Sequence, residues 1–335
     1  MNRSKKISMI ATALLCFILK LSACSNGKTA TNEESAVQKQ AETNAMTEEN
    51  QKSNSSETRI YKDSQGHEVE IPTNPKRIVL QGNAIGDLLA LGIQPIGIDR
   101  RFIESSVNID KEQKPAQDIG FPTNLELVLS LEPDLTMLSY VLDKEYEEAS
   151  KISPVVTFDG ALPLKVRFPV IADIVGKKAE AGQLLQDYDL KAEAMWKDLR
   201  VNGKITEGET AVVLQYYWNK TMYVMKTGAL AELLYQPSGF GMDDKVKALQ
   251  PNSGPYIEVS NELMHDILIG DRLFVLHSAD KDAEKAFAEL LKTDLWKSLP
   301  AVKGGKINFI EDKWNYNDMT TSDMLLDEFP NVMEQ

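Results

Sequence analysis

The sequence predicts an α/β protein: two lobes with mainly parallel sheets, joined by one long helix. Three observations predict it. Short apolar runs alternate with helical stretches over 59–164 and again beyond Gly203, and that alternation argues for parallel sheets. Between the two sets, Ala181, Leu185, Tyr188, Ala192, Met195 and Leu199 recur at steps of four and three, on one helix face. The 335 residues, 42% apolar and 26% charged, suit two globular domains that each bury a core.

Composition also excludes classes. A net charge of −13 lacks the basic footprint that phosphates require, so no nucleic acid is expected as a partner. Two cysteines cannot make a disulfide scaffold, and three scattered histidines lack the spacing of a zinc site.

The chain opens with Arg3, Lys5 and Lys6, followed by the apolar run from Ile7 to Leu19, which Lys20 closes. A membrane span needs about 20 apolar residues, so this run is too short and has the dimensions of an export signal. Leu21-Ser22-Ala23-Cys24 resembles the lipobox of bacterial lipoproteins, which implies a signal peptide over 1–23 and diacylation of Cys24. Cleavage there removes four basic residues and Cys16, taking the net charge from −13 to −17 and leaving one cysteine. An acidic body is repelled by anionic headgroups, so two acyl chains must supply the attachment.

From Cys24 to Thr58 the chain is rich in Ser, Thr, Asn, Gln, Glu, Lys and Ala, and it reads as a disordered tether. A flexible coil of this length spans roughly 30 Å. That reach suits a folded body standing off a membrane.

The first lobe is expected over 59–164. Tyr61 to Ile71 alternates about a turn and reads as a hairpin. Strands are expected at Ile78–Gln81, Pro95–Asp99, Leu135–Ser139 and Val155–Phe158, with helices at Asp87–Leu91, Leu125–Leu131 and Glu145–Ile152. A linking helix follows over 165–200, with Pro169 suited to its first turn and Gly203 to a stop beyond its end. From Pro169 to Leu199 it would run about 46 Å, enough to bridge two lobes, unless Gly176 or Gly182 breaks it.

The second lobe occupies 201–335. Ala211–Trp218 and Met222–Met225 read as strands of a hairpin about Asn219-Lys220, and Leu273–His277 and Ile307–Ile310 as further strands. Helices are expected at Leu230–Tyr235, Asn261–Asp266, Ala283–Leu291 and Ser322–Phe329.

No nucleophile elbow, zinc-protease motif, Cys-x-x-Cys or phosphate loop occurs, so no enzyme chemistry is expected. Gly82-Asn83-Ala84-Ile85-Gly86 follows a strand but lacks the dinucleotide fingerprint, and reads as a tight strand-to-helix turn. What stands out lies just past strand ends: Arg100, Arg101 and Phe102; Tyr140; Tyr217, Trp218 and Lys220; Trp314 and Tyr316. Ligands of parallel α/β sheets bind outside the carboxyl ends of strands. Aromatic faces with a few fixed donors suit a large, partly aromatic or anionic small molecule. Tyr216 and Trp296 read instead as packing residues.

Several segments in order resemble the iron–siderophore substrate-binding proteins of ABC importers. They are Pro75 to Val79, Asp87 to Gly97, Asn124-Leu125-Glu126, Glu132 to Leu135, Ser153 to Val156, Ile174 to Ala181, Ser260 to Leu263 and Trp296 to Lys306. The likeness runs from Arg59 to Phe329. It implies two Rossmann-like lobes joined by one rigid helix, with the ligand in the cleft between them and only modest closure.

The resemblance further implies that Glu126 and Glu262, one per lobe, dock onto arginines of the permease, which an acidic body would favour. The cargo is then a ferric siderophore, which brings its own iron ligands, so no side-chain metal site or cofactor is expected. A ferric catecholate would call on Arg100, Arg101, Arg167 and Lys220, and a ferric hydroxamate on Tyr217, Trp218, Trp314 and Arg167. The composition leaves that choice open. A haem- or corrinoid-binding receptor of the same fold is the alternative, and a surface-anchored hydrolase the alternative outside transport. The expected state is a monomer, lipid-anchored on the extracytoplasmic face of the cell membrane of a single-membrane envelope.

Overall fold

The structure, a computed structural model, describes residues 57–334 apart from 112–115, 140, 218, 251–255, 261 and 279. The signal segment, Cys24 and the tether up to residue 56 lie outside the described residues, as do Tyr140 and Trp218.

The hairpin forms where alternation places it, as β1 (Thr58–Lys62) antiparallel to β2 (Glu68–Pro72). Its turn is organised by the buried Asp63 carboxylate, which accepts from the backbone N–H of Gln65 (3.0 Å) and His67 (2.8 Å). The same carboxylate accepts from Thr157, at 3.0 Å from the backbone and 2.7 Å from the hydroxyl, and so clamps the hairpin onto the first sheet. Burial opposes ionisation of Asp63, yet the bonds from Thr157 and His67 outweigh it and hold the carboxyl below its ordinary value. His67 is accounted for here: it pairs with Asp63 at 2.9 Å and stacks on Tyr146 at 3.9 Å between ring centroids.

The first lobe's sheet is wholly parallel, in the order β5-β4-β3-β6-β7. Its strands are β3 (Ile78–Gln81), β4 (Gly97–Ile98), β5 (Gln117–Asp118), β6 (Leu135–Leu138) and β7 (Val155–Thr157). β3, β6 and β7 are buried along their whole length because helices cover both faces, which is why they read as unbroken apolar runs.

The second sheet is mixed. It contains β8 (Ala211–Tyr216), β9 (Met222–Met225), β10 (Tyr256–Val259), β11 (Arg272–His277) and β12 (Ile307–Glu311) in the order β10-β9-β8-β11-β12. β8, β11 and β12 run parallel, while the expected hairpin makes β9 antiparallel to β8, and β10 pairs antiparallel beyond it.

The linker departs from the single helix expected over 165–200. It comprises two helices, Leu164–Ile174 and Lys178–Val201, separated at Gly176. Gly176 has φ +74°, and an added Cβ would lie 2.2 Å from the Thr73 carbonyl oxygen, so only glycine fits. The Lys177 N–H donates to Ala172 O (2.7 Å) and the Gly176 N–H to Asp173 O (3.1 Å), which together form a Schellman stop. Pro169 falls inside the first helix rather than in its first turn, since that helix begins at Leu164, behind Pro163. Gly182 sits inside the second helix and breaks nothing. That helix has 24 residues, about 36 Å.

One continuous apolar core reaches from Leu80 and Met137 of the first sheet to Val213 and Phe274 of the second. Trp196 of the linking helix and Phe329 of the last helix (Met319–Val332) sit within it, with ring centroids 5.3 Å apart. A core shared in this way holds the lobes as one packed body, since interiors deform little.

Candidate functional site between the lobes

A cavity of about 330 Å³ opens outside the carboxyl ends of β3, β4, β7, β8 and β12. The first lobe supplies Asn83, Arg101, Phe102, Ser105, Gly160 and Ala161. The second supplies Gln215, Tyr217, Met225, Thr227, Gly228, Asp312, Asn315, Tyr316 and Asn317. Its size is that of a small-molecule site. Among these described residues Arg101 is the one cation and Asp312 the one acid; the rest are amides, hydroxyls, aromatic rings, the Met225 thioether and small residues.

Arg101 is held at the rim by Asp99, with Nε 2.9 Å from Oδ1 and Nη2 2.5 Å from Oδ2. Its guanidinium also lies 4.0 Å from the Phe121 ring centroid. Burial raises the Asp312 carboxyl above its ordinary value, against the bond from Ser278 and the nearby His277. Tyr217 meets Tyr223 edge to face at 5.4 Å. Gly228, at φ +101°, lets Asn315 approach so closely that a Cβ would lie 2.5 Å from Asn315 Oδ1.

Of the expected ligand contacts, Arg101, Phe102, Tyr217 and Tyr316 come together here. The structure places four others outside this lining. Arg167 is wholly buried, with its Nε 3.0 Å from the equally buried Asp87 carboxylate, so it does not line the cavity. Arg100 lies outside the lining and reaches Glu104 at 3.4 Å and Ala116 O at 3.5 Å. Lys220 sits exposed at the hairpin tip, 3.5 Å from Glu289. Trp314 lines an adjoining cavity of about 590 Å³, which shares Ser105 and Asp312 with the first.

The amides Asn83, Gln215, Asn315 and Asn317 were missed as contacts. The signal for two of them was present, because Asn315 and Asn317 alternate with Trp314 and Tyr316 just past β12. Asn83 was hidden by an adequate local explanation, the tight turn after β3. Tyr216 and Trp296 are buried, as packing residues should be. Among the described residues, no group of three or more His, Cys, Asp and Glu side chains gathers as a metal site.

The model of the periplasmic binding protein family matches residues 78–313. The chain belongs to this family. It is 28% identical over 269 residues to the iron(3+)-hydroxamate-binding protein YxeB of Bacillus subtilis, covering 78% of this chain and 79% of that one. It is 27% identical over 320 residues to the probable siderophore-binding lipoprotein YfiY of Bacillus subtilis, covering 92% and 91%. The crystal structure of Staphylococcus aureus SirA complexed with staphyloferrin B superposes with a TM-score of 0.71 at 25% identity, over 83% of this chain and 99% of that one.

The cavity lies between the lobes, where the resemblance expects the ligand. The two glutamates that the resemblance assigns to docking both reach solvent. Glu126 lies in the first turn of helix Leu125–Ser130, whose Asn124 cap accepts from Leu127 N at 3.1 Å. Glu262 precedes the helix Met264–Ile267 in a turn, rather than within the helix expected over 261–266.

Proposed function

We propose that this chain is the extracytoplasmic receptor of an iron-uptake ABC importer, and that it captures a ferric siderophore and presents it to the permease. Relatives spanning most of its length are described as iron-hydroxamate- and siderophore-binding proteins, which supports the cargo. Lipidation at Cys24 would hold the body at the membrane surface, with docking through Glu126 and Glu262.

Within that class the cavity favours a ferric hydroxamate. The observation that carries this is the charge balance of the lining: the Arg101 guanidinium is already paired with Asp99, and Asp312 lies opposite. A triply anionic ferric catecholate would enter a site with no surplus positive charge, whereas a neutral or cationic hydroxamate complex meets amides, hydroxyls and aromatic rings.

Tryptophan fluorescence tests both levels on the purified chain in detergent, titrated with a ferric trihydroxamate, a ferric catecholate, haemin and a corrinoid. Saturable quenching by the hydroxamate alone, absent with the iron-free chelator, is the expected result. Preference for the catecholate would overturn the hydroxamate assignment, and silence with both iron complexes the siderophore assignment.

A further inference from the structure

We propose that Arg167 is a positioning residue for the ligand cavity: its buried guanidinium pins one wall residue of each lobe and so sets the gap between them. The inference rests on the siderophore reading above. On the first-lobe side, Arg167 Nη1 donates to the carbonyl oxygens of Gly160 (3.4 Å) and Leu162 (3.2 Å). On the second-lobe side, Nη2 donates to the carbonyl of Asn317. Gly160 and Asn317 both line the cavity, whereas Arg167 does not.

A further partner fixes each wall residue. Asn83 Nδ2 donates to the same Gly160 carbonyl at 2.9 Å. The Asn317 side chain donates to Glu232 at 2.9 Å, and the other oxygen of Glu232 accepts from the Leu164 N–H at 3.0 Å, in the arginine's own helix. The Arg167 Nε is engaged by Asp87 of the first lobe at 3.0 Å, and a second Asp87 oxygen accepts from the Met319 N–H of the last helix at 2.9 Å. One guanidinium therefore ties the linker, both lobes and both cavity walls.

Burying a charge is costly even when paired, and an apolar side chain would pack this joint at lower cost. What an apolar side chain cannot do is reach four acceptors in fixed directions. The planar fork of arginine does, and a lysine ammonium does not.

The test uses the full chain in detergent and ferrioxamine B, a ferric trihydroxamate, as probe. Arg167→Met should weaken binding about tenfold or more, as expected when bonds that hold both walls are lost. Arg167→Lys should restore little of it.

Arg272→Met is the control for a merely structural role. Arg272 is also buried and paired, 3.1 Å from Glu209, but lies at the opposite end of β11 from the cavity. Its loss should lower the unfolding temperature and leave affinity within about twofold. Glu232→Gln keeps the shape while turning one acceptor into a donor, and should weaken binding several-fold in a folded protein even if Arg167→Met does not fold.

Affinity unchanged in folded Arg167→Met or in Glu232→Gln would overturn the positioning role alone. A wild-type chain that binds no ferric siderophore would overturn the functional reading and this inference with it.

Discussion

Arg101 and Asp99 form a two-pronged ion pair at the cavity rim, with the carboxylate buried and the guanidinium side chain more than half exposed. The pair leaves the cavity a directional donor with little net positive charge. Asp99→Asn would release that charge. The expected outcome is a shift in the ratio of catecholate to hydroxamate affinity of about tenfold toward the catecholate, read by fluorescence titration. An unchanged ratio would mean that charge does not select the ligand.

Asp318 caps the last helix from a wholly buried position, accepting from Thr321 N at 2.8 Å, Thr321 Oγ1 at 2.9 Å and Asn108 Nδ2 at 2.9 Å. Burial, and then the neighbouring Asp87 charge, push its pKa up to about 6 from 3.8. A carboxyl raised on folding contributes stability that is fully present below the unfolded value and is lost as pH rises through the folded one. Two units correspond to roughly 3 kcal/mol. Urea unfolding of wild type and Asp318→Asn between pH 3 and 8 should therefore differ in slope between about pH 4 and 6. Wild type should lose stability relative to the variant as pH rises, and parallel curves would contradict the raised pKa.

Gly228→Ala tests the loop that carries Asn315. A Cβ there would collide with Asn315 Oδ1 at 2.5 Å, on a backbone whose φ of +101° already disfavours a side chain. Strain of this kind costs about 1–3 kcal/mol, so calorimetry should show a Tm several degrees lower. Hydroxamate affinity should fall with it, because Asn315 must move from the cavity wall.

Glu126→Ala and Glu262→Ala together should reduce iron uptake by cells about tenfold or more, with siderophore affinity within about twofold of wild type. Both carboxylates are exposed and neither lines the cavity. A collapse of affinity would show that they serve the ligand rather than the permease.

Cys24→Ala should release the chain into the medium, measured by fractionation of the producing cells. Membrane retention of that variant would count against the lipid anchor.

Strand positions follow from local pattern because burial writes itself directly into composition. Ile78–Gln81 and Met222–Met225 fall where the apolar runs put them. No such run marks β5 and β10, each at one edge of its sheet. In the linker, Gly176 and Gly182 looked equivalent. What separates them is the Thr73 carbonyl, which lies against Gly176 and has no counterpart at Gly182, where a Cβ would meet nothing within 4 Å.

The site divides in the same way. Alternating runs, helical periodicity and the aromatic and basic residues past strand ends were enough to set two α/β lobes, a helical link and a ligand cleft between them. Composition could not rank Arg101 against Arg167, since both are arginines near a presumed cleft. Tertiary structure decided it: Asp87 and Asn317, 80 and 150 residues away in sequence, converge on Arg167 and enclose it, while Arg101 pairs locally with Asp99 and stays at the rim. Local pattern reports which faces are buried; which charged group is enclosed depends on partners that only the folded chain brings within hydrogen-bond distance.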